Sequence, residues 1–296
     1  MRSILKVTLL LFFTLGVASV WAETLYPFVL GNKSATEVES ALEKQGFEIA
    51  GKYAPFSGAQ IWAVTSPELK QAASKSDFGV FGVAIRVAVT DVGGKAQVSY
   101  VNPPYMAAAY QMKDNLTDVA SKLEAALGKE KTFGAEKPLS TEELAKYHYM
   151  GSMPYFKDRD ELNEFSSQDQ ALAQVERALA AKTSGVSKVY RIDLPGRQES
   201  VFGVSLTQKA GADQPLMSKI DKGSLRQTAH LPYELVVVKG KIYALNGKFR
   251  IALSFPSLTM ATFMRIASAP DDIRSALGDV AGRAFKVRAN VVNPLD

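Results

Sequence analysis

The sequence has no cysteine and only two histidines, His148 and His230, among 296 residues. The first absence excludes disulfides, thiolate-held zinc, cysteine-ligated iron–sulfur clusters and any cysteine nucleophile. The second removes most chemistry that depends on paired imidazoles. There is no Gly-x-Ser-x-Gly elbow, no zinc-protease His-Glu-x-x-His, no phosphate loop and no dinucleotide fingerprint. Charge of one sign is also scarce. A formal net charge of +5 with 22% charged residues is too weak an imbalance to indicate nucleic acid as a partner. Past residue 22 no apolar run approaches the length of a bilayer span. What remains is an ordinary globular composition, 47% hydrophobic with 13 prolines, long enough for one large domain or two of about 100–150 residues.

The N-terminus reads as an export signal. Arg2 and Lys6 form a basic start, and Val7 to Val17 is apolar apart from Thr8, Thr14 and Gly16. Val20 and Ala22 then supply the modest side chains of a cleavage site before Glu23. An uncleaved anchor is the alternative, but the run is short for one. The expected product is a periplasmic or secreted protein cleaved after Ala22, with no stable membrane span afterwards. Without cysteine, its stability must come from packed cores. Cleavage removes two positive charges, and the remaining excess lies near the C-terminus, where residues 218–296 hold 12 basic and 6 acidic side chains.

The rest of the chain looks duplicated. Val38-Glu39-Ser40-Ala41-Leu42 and Val175-Glu176-Arg177-Ala178-Leu179 sit on similar amphipathic helix candidates. Residues 84–101 predict two strands around Gly93-Gly94, and residues 234–255 have the same β-branched character, with turns expected at Lys239-Gly240 and Asn246-Gly247. Both are followed by a proline and a Met/Ala-rich helix, PYMAAAYQM from Pro104 and PSLTMATFM from Pro256. Both copies then reach Ala-Leu-Gly, at Ala126-Leu127-Gly128 and Ala276-Leu277-Gly278, where glycine suits a helix end. The order predicts an α+β fold of two related domains, residues 23–128 and 169–296, each a mainly antiparallel sheet with helices packed on one face. Residues 129–168 are a connector, with a capping-box helix start at Ser140 and Glu143 and a cluster of aromatic residues after it.

Several segments together resemble the domain-of-unknown-function 302 family. They are YHYMGSMPYF (147–156), VYRIDLPG (189–196), LPYELVV (231–237) and FRIALSFPSLTMATFM (249–264), with NPPYMAAAY (102–110) as the matching part of a first copy. The resemblance spans nearly all of residues 25–285. It implies a compact α+β fold for each copy and assigns no activity, cofactor or catalytic residue.

Two clusters are candidates for chemistry. Tyr147, His148, Tyr149, Met150, Met153 and Tyr155 combine an imidazole with two thioethers, which could present soft ligands to copper(I) or line a ligand pocket with His230 and Tyr233. The same residues would also serve as packing between the domains, methionine being a common filler. Whether a metal or any cofactor is held is left open by the spacing. His230 with Tyr233 and Glu234 is a candidate acid/base group if a cleft reaches it. Lys239, Lys241, Lys248 and Arg250 are two residues apart in pairs on expected strands, which predicts a shared anion-binding face or a lysine-protected sheet edge. Met106, Met112, Met260 and Met264 are expected in the core. The function expected is a non-enzymatic exported binding module for a small molecule, a metal or an envelope protein. The alternative is an envelope enzyme using His148 or His230.

Overall fold

A computed structural model of the chain describes residues 24–283, so the expected leader and its cleavage point lie outside the described residues. In the first half, strands β1 (Thr24–Leu25) and β2 (Phe28–Leu30) lead into helix α1 (Val38–Lys44) and the hairpin β3 (Glu48–Tyr53) and β4 (Ala59–Thr65). Helix α2 (Pro67–Ser74) and a 3-10 turn at Gly79–Gly82 follow, then the expected hairpin β5 (Ile85–Val92) and β6 (Lys95–Val101). Helices α3 (Pro103–Ala109) and α4 (Thr117–Leu127) and strand β7 (Lys131–Phe133) complete this half. The connector contributes β8 (Leu139–Ser140), which pairs with β1, and the short helix α5 (Thr141–Ala145). The Ser140–Glu143 capping box read from the sequence is present at the start of α5.

The second half repeats the pattern. It runs β9 (Asp160–Glu164), α6 (Gln168–Ala180), β10 (Val186–Asp193), β11 (Glu199–Leu206), α7 (Asp213–Ile220) and a 3-10 turn at Thr228–His230. It ends with β12 (Tyr233–Val238), β13 (Lys241–Ala244), α8 (Gly247–Ser254), α9 (Met260–Arg265) and α10 (Ala269–Val280). All strand pairings are antiparallel, in the orders β3-β4-β5-β6-β2-β7 and β10-β11-β12-β13-β9. The two orders coincide strand for strand except that β7 extends the first sheet. The fold is α+β, as the pattern of strands and helices required.

The duplication runs in a different register from the one the prolines suggested. Residues 247–254 form helix α8 rather than a third strand, and Asn246 caps it by accepting the Lys248 N–H at 3.0 Å. The equivalent of Asn102-Pro103 at the start of α3 is therefore Asn246-Gly247, not a segment beginning at Pro256. The misreading has a simple source: Phe249 to Leu253 is buried throughout, Arg250 included, and a fully buried segment shows neither a period of 2 nor one of 3.6. Gly278 likewise lies inside α10, which continues to Val280.

The halves are closely interlocked. Buried side chains of both form one continuous core, and the 3-10 turn of each half packs on the other half's sheet. Most of strands β5, β11 and β12 is consequently buried on both faces, which explains why apolar residues there often stand side by side instead of alternating with polar ones. The outer strands β3 and β10 also meet. Each carries a bulge, between Ile49 and Gly51 and between Lys188 and Tyr190. At that meeting a Cβ on Gly51 would stand 2.2 Å from the Val189 carbonyl oxygen and 2.9 Å from the Tyr190 Cβ. The carbonyl is backbone and cannot swing aside. Gly51→Ala should therefore destabilise the protein by about 1–3 kcal/mol, measured as a lower urea midpoint. An unchanged midpoint would show that the two edges are not in contact.

Candidate functional site

The inner face of the first sheet is polar where the second half lies on it. Alternation along β5 and β6 places Arg86, Thr90, Gln97 and Ser99 on that face. Arg86 Nε donates to the Ala229 carbonyl at 3.0 Å, and the Thr90 and Thr228 hydroxyls are 2.8 Å apart. Gln97 bonds twice to the backbone of Arg226, donating to its carbonyl at 2.7 Å and accepting its N–H at 2.9 Å. Residues 226–230 are thus stitched to the first sheet by side chains alone.

Beside this seam, both halves enclose a cleft of about 340 Å³, within the size of ordinary small-ligand sites. Phe56 and Met217 supply apolar surface, and Asp91, Asp221, Lys222 and Arg226 supply charge of both signs. Asp221 is buried, and both its carboxylate oxygens accept the Gln227 N–H at 3.1 Å. Burial pushes its carboxyl up to about 6, against the pull of that hydrogen bond and of Arg226. At the other end of α7, Asp213 is also buried, accepting from the Leu206 N–H at 3.3 Å and the Tyr53 hydroxyl at 3.4 Å while Oδ1 has no partner. Burial pushes Asp213 to about 7, with those two hydrogen bonds opposing. Helix α7 therefore runs between two buried acids, Asp213 bonded to Tyr53 of the first half and Asp221 lining the cleft.

The expected acid/base group exists as a cluster but not as an accessible site. His230 Nε2 lies 2.9 Å from the Tyr233 hydroxyl and Nδ1 lies 3.1 Å from Arg250 Nη1. A guanidinium has only donors, so Nδ1 accepts, and Nε2–H donates to Tyr233. His230 is 1% exposed, with Phe255 against its ring. Burial, then the charges of Arg250 and Arg86, hold its imidazole well below the usual range. Glu234 does not join it. That carboxylate instead takes Arg86 at 2.8 Å and Arg250 at 3.4 Å, and all three charged side chains are almost completely buried. The acid/base reading is corrected accordingly: a neutral, enclosed histidine bonded to an arginine organises the junction and meets no solvent.

The expected anion face is not assembled either. Arg250 is buried on α8, held by Glu234, His230 and Ser254. Lys241 is paired with Glu161 and Glu164 on the neighbouring strand, at 3.4 Å each. Lys239 lies in the turn after β12, and Lys248 is exposed on a helix rather than on a strand. Lys248 and Arg250 leave the expected sheet face because the segment after Asn246 is helical.

The connector residues are brought together, and they pack. Tyr147 stacks edge-on to Phe249 and donates to the Ala252 carbonyl at 2.8 Å. Phe156 touches Tyr110 from the first half and Phe249 from the second. His148 lies against Tyr155 with ring centroids 4.4 Å apart, and its Nδ1 is buried without a hydrogen-bond partner. Tyr149 stacks on Phe263. Met150 is exposed and Met153 half-buried. His148 contacts Tyr155, whereas His230 contacts Tyr233 and Arg250, so the two histidines share no partner among these contacts. Among the described residues, no group of three or more histidine, aspartate or glutamate side chains is placed to hold a metal, and no helix is long and apolar enough to cross a membrane.

The cleft residues were not singled out by the sequence, although two signals pointed to the neighbouring charge pair. Arg86 stands alone in VAIRVAV and Glu234 in YELVVV. A single charge inside an apolar strand must find a partner when the strand is buried. Comparison with family models, curated proteins and solved structures finds no match to this chain.

Proposed function

We propose that the protein is an exported, non-enzymatic binding module. Its ligand seat is the cleft between the halves, and its ligand is a small molecule that carries charges of both signs beside an apolar group. The observation that carries this reading is the composition of the cleft: Phe56 and Met217 beside Asp91, Asp221, Lys222 and Arg226, contributed by both halves. The leader-like residues 1–22 support export. The segments that resemble the domain-of-unknown-function 302 family support membership in it, also as a proposal. A binding role is favoured over the enzyme because the one histidine hydrogen-bonded to a tyrosine is sealed from solvent.

A thermal-shift screen of amino acids, short peptides and other zwitterionic metabolites tests the reading. A ligand at 100 times its Kd adds about 2.7 kcal/mol of stability, which moves a domain of this size by several degrees. The shift should disappear in Lys222→Ala and Arg226→Ala and persist in His148→Ala. A screen in which no compound stabilises the protein, or in which the shift survives both cleft variants, would contradict it.

A further inference from the structure

Among the described residues, the large hydrophobic side chains left exposed are Met150 (47%), Met260 (42%) and Met264 (66%), all methionines. The sequence placed Met260 and Met264 in the core. They are outside it because α9 follows the turn at residues 256–259 instead of the hairpin, and buries only Phe263.

Two pairs of thioethers flank one aromatic stack here. Met150 and Met153 begin and end one turn, closed by the Met153 N–H bonding the Met150 carbonyl at 2.9 Å. Met260 and Met264 are four apart on α9, a spacing that sets their Cβ atoms about 5–6 Å from each other on one face. Tyr149 joins the pairs. Its ring stacks on Phe263 with centroids 5.4 Å apart, and its hydroxyl donates to the Leu258 carbonyl. Tyr149 directly precedes Met150 and Phe263 directly precedes Met264, so the stack sets one member of each pair a single residue from the two rings. His148, one residue earlier, has the buried Nδ1 that no protein group satisfies.

Packing alone does not account for methionine at these positions. An exposed thioether gains little from burial, and leucine has a similar volume. What separates the two is a soft donor that never needs to lose a proton. In a chain with no cysteine, thioethers are the remaining soft ligands, and soft sulfur selects copper(I). We propose that Met150, Met153, Met260 and Met264 form a surface site for copper(I), with His148 Nδ1 as the adjoining nitrogen donor. The site is independent of the cleft, shares no residue with it, and takes the ion as copper(I) with no change of oxidation state.

Anaerobic titration of the full chain with copper(I) against bicinchoninate tests this. The wild-type chain should withdraw one equivalent from the chelator. Each double variant, Met150→Leu with Met153→Leu and Met260→Leu with Met264→Leu, should bind at least roughly 100-fold more weakly, the upper end of what losing a supporting partner alone costs. Lys222→Ala should bind as wild type. A second readout does not depend on variants folding: copper(I) should shift the methyl resonances of these four methionines in the wild-type chain and leave buried Met106 and Met217 in place. Failure of the wild type to compete with the chelator would overturn the proposal. So would wild-type affinity in either double variant, or shifts confined to other methionines.

Discussion

Glu234→Gln should destabilise the protein by about 3–5 kcal/mol, the characteristic cost of removing one partner from a buried charge group. The size follows from the count of charges at the junction. Glu234 is the single anion between Arg86 and Arg250, and His230 beside them is neutral. Without the carboxylate, two guanidiniums remain buried with no counter-charge, and neither can shed its proton. Arg86→Met should cost less, about 1–3 kcal/mol, because Arg250 still neutralises Glu234. The main loss is then the unsatisfied Ala229 carbonyl that Arg86 had bonded. Urea unfolding of both variants distinguishes this account from one in which the pair is incidental. A Glu234→Gln cost below about 1 kcal/mol, or an equal cost for the two variants, would mean that the junction is hydrated and the charges are screened.

Stability should fall as pH rises from about 4 to 6 in the wild type, flatten in one variant and fall more steeply in another. Asp213 has a folded pKa raised from its ordinary 3.8 to about 7. Between those values the native chain holds a proton that the unfolded chain has released, so this group makes stability fall as pH rises from about 4 to 7. Asp221, raised to about 6, acts in the same direction over the lower part of that window. His230 works in reverse. Its folded pKa is depressed below the ordinary 6.5, so below that pH the unfolded chain takes up a proton the native chain refuses. Its contribution is fully present above pH 6.5 and is lost as pH falls. Each group contributes at most about 1.4 kcal/mol per pH unit, and their effects partly cancel. Asp213→Asn should therefore leave Asp221 and His230 to offset each other, giving a protein whose stability changes little from pH 4 to 6. His230→Gln, which keeps a donor and an acceptor at that position, should give one whose stability declines from pH 4 to 7. Urea midpoints at half-unit intervals measure both slopes. Equal slopes in the two variants would contradict the assigned protonation states.

These two predictions rest on residues that differ in how visibly they announce themselves. The hairpin of β5 and β6 could be read from β-branched residues flanking Gly93-Gly94, because a tight turn and an alternating face are local properties. The start of α5 could be read for the same reason, since its capping box spans four residues. The duplication was legible as an order of elements, but its register was not. Asn246-Gly247 reads equally well as a hairpin turn and as the cap of a helix, and the short mixed segment after it favours neither. That one ambiguity moved Lys248 and Arg250 off a supposed strand face, and it put Met260 and Met264 into a supposed core.

The candidate site itself was out of reach for a physical reason. Asp91, Asp221 and Arg226 are ordinary surface residues in sequence, and nothing near them has unusual composition. They become neighbours only when the turn at 226–230 is laid on β5 and β6 by Thr90 and Gln97. The histidines drew attention because imidazoles are chemically versatile. Their surroundings, not their identity, decide the outcome. His230 is enclosed by Arg250, Tyr233 and Phe255, and His148 lies against Tyr155 in a packed connector.

Export and a bound small molecule can be read together by native mass spectrometry. The full chain, expressed with residues 1–22 in place in a Gram-negative host, is subjected to osmotic shock, and the released protein is weighed intact, then weighed again after denaturation. The expected native mass is that of a chain beginning at Glu23 plus a small organic molecule. Denaturation should remove the surplus, and the Lys222→Ala/Arg226→Ala variant should lack it from the start. A chain retained in the cytoplasm with residues 1–22 attached, or a released chain with the same bare mass before and after denaturation, would contradict the account.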